Sequence, residues 1–361
     1  MLALGSVQRE NIVLMSPLMG SCFRKFLTKL VVWAVCSIAV IGFVIVGMNI
    51  YEERQLAGLC ERRYPLLNPA LRCSQNQAES RVFVPEYEQF QSELETRIND
   101  VKKQGSITEI GVYFRDLENG PWFGINERQG FFAASLFKLP VMIAVYRKAL
   151  KSSGILSEEF ALTSPPDPSR VNVTDPSETV VQGQYYDVRS LLKRMIVYSD
   201  NLSMDILHVR LQQDYKDGTD PEQNIYRDIG VLSTETGGQI TPKAYSALLR
   251  ILYNARYLGK EYSEEALDLL SQADYKKGLA AGVPAGIPIA HKFGIRDSDK
   301  PEKFFHDCGI VYHPERPYVL CIMTIGSVVE ENESLISDIS ARVFREVDRR
   351  AQKSADQNPL F

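Results

Sequence analysis

The stretch Phe131–Leu150, FFAASLFKLPVMIAVYRKAL, decides how this chain is read. From Ser135 onward it is apolar at nearly every position, which predicts a helix buried on most sides rather than along one stripe. Ser135 stands at the expected helix start, and Lys138, three residues on, shares its face. A serine there lies in the positive field of the aligned peptide dipoles, and its own N–H lacks a helical partner and can receive an oxyanion. Burial disfavours the charged form of Lys138, and a neutral amine can take the serine proton. The pair alone does not decide the matter: S-x-x-K is common by chance, and a lysine near a helix start is usually solvated. The apolar setting favours chemistry, because lysines are rarely buried without a role.

Two further short segments carry candidate chemistry. YSDN, Tyr198–Asn201, separates the apolar-periodic run VRSLLKRMIVY from LSMDILHVRL. One reading is a link between helices in which Asp200 or Asn201 caps the second. The other makes Ser199 a proton shuttle to a leaving group and Asn201 a side-chain amide for a substrate carbonyl. AHKFGI, Ala290–Ile295, ends the strand-like run IPIAHKF. Lys292 is either a solvated charge beside a turn glycine or a cation pointing into a cleft. In the second case Gly294 leaves room for a substrate backbone along the strand edge.

Periodicity supplies the frame. Tyr87, Phe90, Leu94, Ile98 and Val101 recur at helical steps, with Pro85 as a first-turn residue. ITEIGVYFRDL and PWFGINE flank Glu118-Asn119-Gly120, a hairpin signal. Residues 155–275 read as mainly helical, with caps at Asp187, at Thr241 before Pro242, and at Ser263. Three β-rich runs follow, IPIAHKF, FFHDCGIVYH and YVLCIMTIG, then a helix with Ile336, Ile339, Val343 and Val347 on one face. Strands at both ends with helices between them predict an α/β (α+β) domain. Its antiparallel sheet of about five strands would have the terminal helices on one face and an inserted all-helical subdomain on the other.

Outside that domain the N-terminus stands apart. The run Leu30–Ile50 holds 21 residues without a charge, long enough at about 1.5 Å per residue to cross a hydrocarbon core of roughly 30 Å. It is longer than a signal peptide's apolar core and has no A-x-A cleavage site. Arg24, Lys25 and Lys29 precede it and Glu52 and Glu53 follow. The positive-inside rule then makes 1–29 a cytoplasmic tail, 30–50 a single-pass transmembrane anchor, 51–80 a stalk and 81–350 an extracytoplasmic domain, with 351–361 a flexible tail. Cys60 and Cys73 form a candidate disulfide in an oxidising compartment. Cys308 and Cys321 read equally well as buried small hydrophobes and as a bonded pair. With a net charge of −4 there is no basic footprint for nucleic acid.

The ordered triple of S-x-x-K, S-D-N and K-x-G resembles that of the class A β-lactamases and the related penicillin-recognising serine D,D-peptidases. The likeness spans roughly residues 84–350 and includes VPAGIPIAHK, the lead-in to the lysine strand, and the LLKRMIVYSDN helix. It implies a β-lactamase/transpeptidase-like fold, with Ser135 as acylated nucleophile and Lys138 as its proton acceptor or relay. Ser199 would be the proton shuttle, Asn201 the substrate-amide contact, and Lys292 the partner of Ser199 and of a substrate carboxylate. The oxyanion would be held by the backbone N–H groups of Ser135 and Ile295. It implies no metal or other cofactor.

This sequence departs from the family pattern at two points. The family's E-x-x-L-N motif, whose glutamate activates the deacylating water, is absent; Glu235 in STETGGQ is the better positional candidate for that base, and Glu222 the other. Phe293 stands where the family has a threonine or serine that contacts the substrate carboxylate. The expected activity is therefore hydrolysis of β-lactams through a Ser135 acyl-enzyme, slow in deacylation. The alternatives are a penicillin-binding-protein-like D,D-peptidase acting on peptidoglycan stem peptides, and a non-catalytic scaffold that retains the fold.

Overall fold

In the computed structural model, residues 64–69, 87–118, 120–165, 176–213, 221–230, 239–297 and 300–357 are described, with Trp33 and Met48. The expected Cys60–Cys73 pair, Glu235 and, apart from Trp33 and Met48, the apolar run 30–50 lie outside these residues. Among the described residues no helix is long and apolar enough to cross a membrane.

Helix α1 (Glu88–Lys103) leads into strands β1 (Ile107–Asp116) and β2 (Trp122–Ile125). A 3-10 turn (Ala134–Phe137) then runs directly into α2 (Lys138–Ala149). Strands β3 (Glu159–Ala161) and β4 (Tyr185–Asp187) form a small ribbon, followed by α3 (Val188–Val197), α4 (Asn201–Gln212) and α5 (Pro221–Asp228). Next come α6 (Pro242–Tyr253) and α7 (Gly259–Ser271). Strands β5 (Ile289–Arg296), β6 (Lys303–Val311) and β7 (Tyr318–Gly326) precede the last helix, α8 (Val329–Gln357).

The main sheet has the order β2-β1-β7-β6-β5, every neighbouring pair antiparallel. Successive side chains on a strand face opposite ways, and both faces are apolar. On β7, Leu320 and Ile322 meet Leu94, Ile98, Ile336, Ile339 and Val343 of the two terminal helices. Val319, Cys321 and Met323 point the other way, into the core shared with α2, α3, α6 and α7. The expected five-stranded sheet between terminal helices and an inserted helical block is therefore what forms.

Local chemistry sets several boundaries as expected. The Asp187 carboxylate accepts from Ser190 N at 2.8 Å, and the Thr241 hydroxyl accepts from Ala244 N at 3.1 Å, each capping its helix. Four expectations need correction. Ser263 is not a cap but lies inside α7, buried and with no partner for its hydroxyl. The helix starts four residues earlier because the buried Leu258 anchors its entry. The inserted block is not all helical: β3 and β4 pair across Phe160 and Tyr186. Residues 64–69 of the expected stalk dock on the domain. Leu67 is fully buried, Leu66 N donates to Glu264 at 3.0 Å, and Tyr312 Oη donates to Leu66 O at 3.0 Å. Finally, α8 continues through Gln357 into the expected tail, with Ala351 buried one turn beyond Val347. Cys308 and Cys321, opposite each other in the β6–β7 register, are joined as a disulfide within the core.

One close approach fixes the final helix against the segment before β5. A Cβ on Gly282 would lie 2.5 Å from Ser337 O and 2.7 Å from Ala341 N, both backbone atoms of α8. Gly282→Ala must push the helix away, and urea unfolding should show a loss of about 1–3 kcal/mol; an unchanged midpoint would mean that this junction is loosely packed.

Candidate active site

Three parts of the chain meet around one ammonium group. Lys138 opens α2 and is 1% exposed, enclosed by the core its own helix builds. Its Nζ lies at hydrogen-bond distance from Ser135 Oγ and Ser199 Oγ, 3.1 Å from each, and donates to Asn201 Oδ1 at 2.7 Å. It also donates to the carbonyl oxygen of Ser199. Lys292 comes in from β5, fully buried, and donates to Ser199 Oγ at 2.9 Å and to its neighbour's carbonyl, Phe293 O, at 2.9 Å. Ser135, Lys138, Ser199, Asn201 and Lys292, separated by as much as 157 positions in the sequence (292 − 135), thus form one hydrogen-bonded group.

Backbone geometry shapes this group. Ser135 sits in the 3-10 turn ahead of α2, so the α-helix expected to start at Ser135 starts at Lys138 instead. Ala134 just before it has φ 47°, and Ser199 has φ 58°. Both are left-handed positions for residues with a Cβ, at a cost on the order of 1 kcal/mol each. At Ser199 the turn brings its carbonyl and its hydroxyl to the same lysine. Asp200 holds that turn: its carboxylate accepts from Ser203 N at 2.8 Å, Ser203 Oγ at 2.6 Å and Thr179 Oγ1 at 2.6 Å. The S-D-N turn thus supplies both a cap and partners for Lys138. Asp200 is the helix cap, while Ser199 and Asn201 belong to the site.

Strand β5 places the rest. It is an edge strand, so part of its backbone is unpaired and faces outward. A Cβ on Gly294 would lie 3.2 Å from Ser135 N and 3.1 Å from Leu136 N. The space its missing side chain leaves is taken by the nucleophile turn. Ile295 follows directly, with its side chain in the core under the terminal helices. Phe293 also departs from expectation. Strand alternation turns it to that same core, 3% exposed, where its ring stacks on Tyr275 at 4.2 Å. The ring lies 4.0 Å from Lys292 Nζ and offers no surface to a ligand. It helps to enclose the Lys292 amine.

Sequence reasoning missed the supports. His306, paired with Gly294 across β5 and β6, lies on the same sheet face. Its Nδ1 accepts from Thr324 N at 3.2 Å, and its Nε2–H donates to Phe132 O at 2.9 Å, holding the segment that precedes Ser135. Burial lowers its pKa to about 4, so it stays neutral and keeps this tautomer. Tyr275 is held by Glu333 of α8, and burial raises that carboxyl's pKa. His291 and Asp307 pair at 2.8 Å behind Lys292. Strand patterning places His291, His306 and Asp307 in the sheet, but only its register shows what they reach.

The model for the beta-lactamase enzyme family matches residues 93–347. Solved structures share the fold. TLA-3 extended-spectrum beta-lactamase superposes with a TM-score of 0.61 at 20% identity, over 71% of this chain and 98% of its own. A beta-lactamase from Chitinophaga pinensis superposes with a TM-score of 0.61 at 22% identity, over 71% and 99%. PBP-A does so with a TM-score of 0.58 at 20% identity, over 72% and 97%; a variant of PBP-A was captured as an acyl-enzyme with penicillin G. No curated protein sequence matches the chain. These structures share the fold of this chain. This chain belongs to the beta-lactamase enzyme family.

Desolvation holds the Lys292 pKa well below the ordinary lysine value, the charge of Lys138 lowers it further, and Asp307 partly opposes them. Between the folded and unfolded pKa values the unfolded chain carries the proton and the folded chain does not, so stability rises with pH there. Below the folded pKa the buried charge opposes folding. Lys292→Met should therefore gain most in melting temperature relative to wild type below that pKa, and the advantage should shrink as pH climbs toward about 10.4. Melting curves from pH 6 to 10 check this; a difference that grows with pH would contradict it.

Proposed function

We propose that this chain is a membrane-anchored serine acyl hydrolase that opens β-lactams through a Ser135 acyl-enzyme. The observation that carries the reading is Lys138 Nζ, 3.1 Å from both Ser135 Oγ and Ser199 Oγ. One amine at hydrogen-bond distance from two hydroxyls can take a proton from the first and return it through the second.

In this reading neutral Lys138 removes the proton as Ser135 Oγ attacks the acyl carbonyl. The negative charge that develops on the carbonyl oxygen falls to the N–H groups of Ser135 and Ile295. Ser199 Oγ, aligned by Lys292, passes a proton to the departing amine and recovers one from Lys138. Asn201 holds Lys138 through Oδ1, and a substrate-amide contact falls to its Nδ2. Deacylation then needs an activated water. Glu235, outside the described residues, is the candidate base, and without the family's loop motif the acyl-enzyme is long-lived. That favours one second reading, a penicillin-binding-protein-like D,D-peptidase acting on peptidoglycan stem peptides. The intact hydrogen-bonded group weighs against a silent scaffold. The uncharged run 30–50 and its flanking charges support a single-pass anchor with residues 1–29 inside and the domain outside the cytoplasmic membrane.

A fluorescent penicillin should label the protein at Ser135, and Ser135→Ala should abolish the label. Lys138→Ala should slow labelling at least about 100-fold. Folded protein that takes no label would sink the hydrolase reading. A chromogenic cephalosporin and a D-Ala-D-Ala peptide, followed side by side, then separate the two activities.

Phe293→Thr removes the ring from Lys292 and restores a hydroxyl at that position. Acylation by penicillins should become faster while the melting temperature falls through lost packing on Tyr275. An unchanged or slower rate would mean that the ring only packs.

A further inference from the structure

Strand β5 carries a second cation that no step above uses. Residues two apart on a strand share a face, and Lys292, Gly294 and Arg296 form such a row. Lys292 bonds Ser199, and Gly294 abuts Ser135 N. The Arg296 guanidinium lies 4.5 Å from the ring centroid of Phe132 and 5.8 Å from that of Phe304. Phe132 precedes the nucleophile by three residues (135 − 132), and its carbonyl is the one His306 holds. The nucleophile's backbone thus sits at the middle of the row, with a cation about 7 Å along the strand on either side.

The two ends of the row differ. Lys292 is fully buried, with its charge enclosed by Ser199, Phe293 O and the Phe293 ring. Arg296 is half-buried, and among the described residues no carboxylate pairs with it. Its neighbour Asp297 is taken by Lys303 at 2.5 Å. Ring contacts orient a guanidinium without neutralising it, leaving donors for a planar two-oxygen acceptor. Ser199 and Lys292 mark the leaving-group end of the site, so Arg296 marks the acyl end.

We infer that Arg296, held by Phe132 and Phe304, recognises a carboxylate on the acyl portion of the substrate. The substrate class is an acyl donor with an acidic group on the acyl side, such as a carboxy-substituted penicillin or an acidic peptidyl chain. The inference rests on the acyl-hydrolase reading.

Benzylpenicillin and carbenicillin form a matched pair of probes, because carbenicillin adds one carboxylate to the same acyl side chain. Second-order acylation rates of the full chain, followed by intact mass, should favour carbenicillin roughly tenfold at low salt. The ratio should fall toward one in Arg296→Gln and should shrink with added salt in the wild type. A wild-type ratio at or below one, or a preference that survives Arg296→Gln, overturns the inference while leaving the hydrolase reading intact. Labelling by neither compound overturns both.

Discussion

The site depends on one buried amine. Lys138 is held by oxygens from Ser135, Ser199 and Asn201, and a lysine nitrogen so deep in an apolar core is tolerated only when the protein itself supplies its hydrogen-bond partners. Much of the surrounding structure serves that requirement. Asp200 is fully buried and caps α4 so that the S-D-N turn keeps its shape. Ser199 takes a left-handed conformation that aims two oxygens at the lysine. The same contacts leave Ser135 Oγ and Ser199 Oγ equidistant from one proton carrier.

A second lysine at the same hydroxyl adds a constraint. Burial holds the Lys292 pKa well below the ordinary lysine value, and a positive charge on Lys138, which shares Ser199 Oγ, lowers it further. Asp307 offsets part of this lowering from behind, braced by Leu279 N at 2.9 Å and by His291. Phe293 closes the remaining side with its ring. A threonine there would leave the ammonium open to a ligand. The aromatic residue instead ties the lysine end of β5 to Tyr275 and, through Glu333, to the last helix. Stability and access are thereby traded at a single position, a common pattern at catalytic sites.

Much of this was legible in the residues themselves. Helical spacing placed Leu94, Ile98, Ile339 and Val343 on buried faces, and alternation located the late strands. Thr241 and Asp187 announced their helices because capping is a local hydrogen bond. Ser263 misled because it has the chemistry of a cap, whereas the start of α7 was set by the packing of Leu258. The short β3–β4 ribbon was missed because three-residue strands carry too little pattern to stand out in a helical region. The run YPLLN was read as part of a stalk because nothing local shows that Leu67 will find a buried seat.

By itself the sequence determined the periodic faces, the helix caps, the spacing of Ser135, Lys138, Ser199, Asn201 and Lys292, and the uncharged run before the domain. These follow from local hydrogen bonding and from the repeat of helix and strand. Only the tertiary structure decided which way β5 turns its side chains. That orientation seats Gly294 against Ser135 N, buries Phe293 under the terminal helices, closes Lys292 and leaves Arg296 beside Phe132. The reason is that a strand has two faces, and the sheet is apolar on both. Pattern alone cannot choose between them, and the choice is made by register with β6 and by the packing of helices on either side.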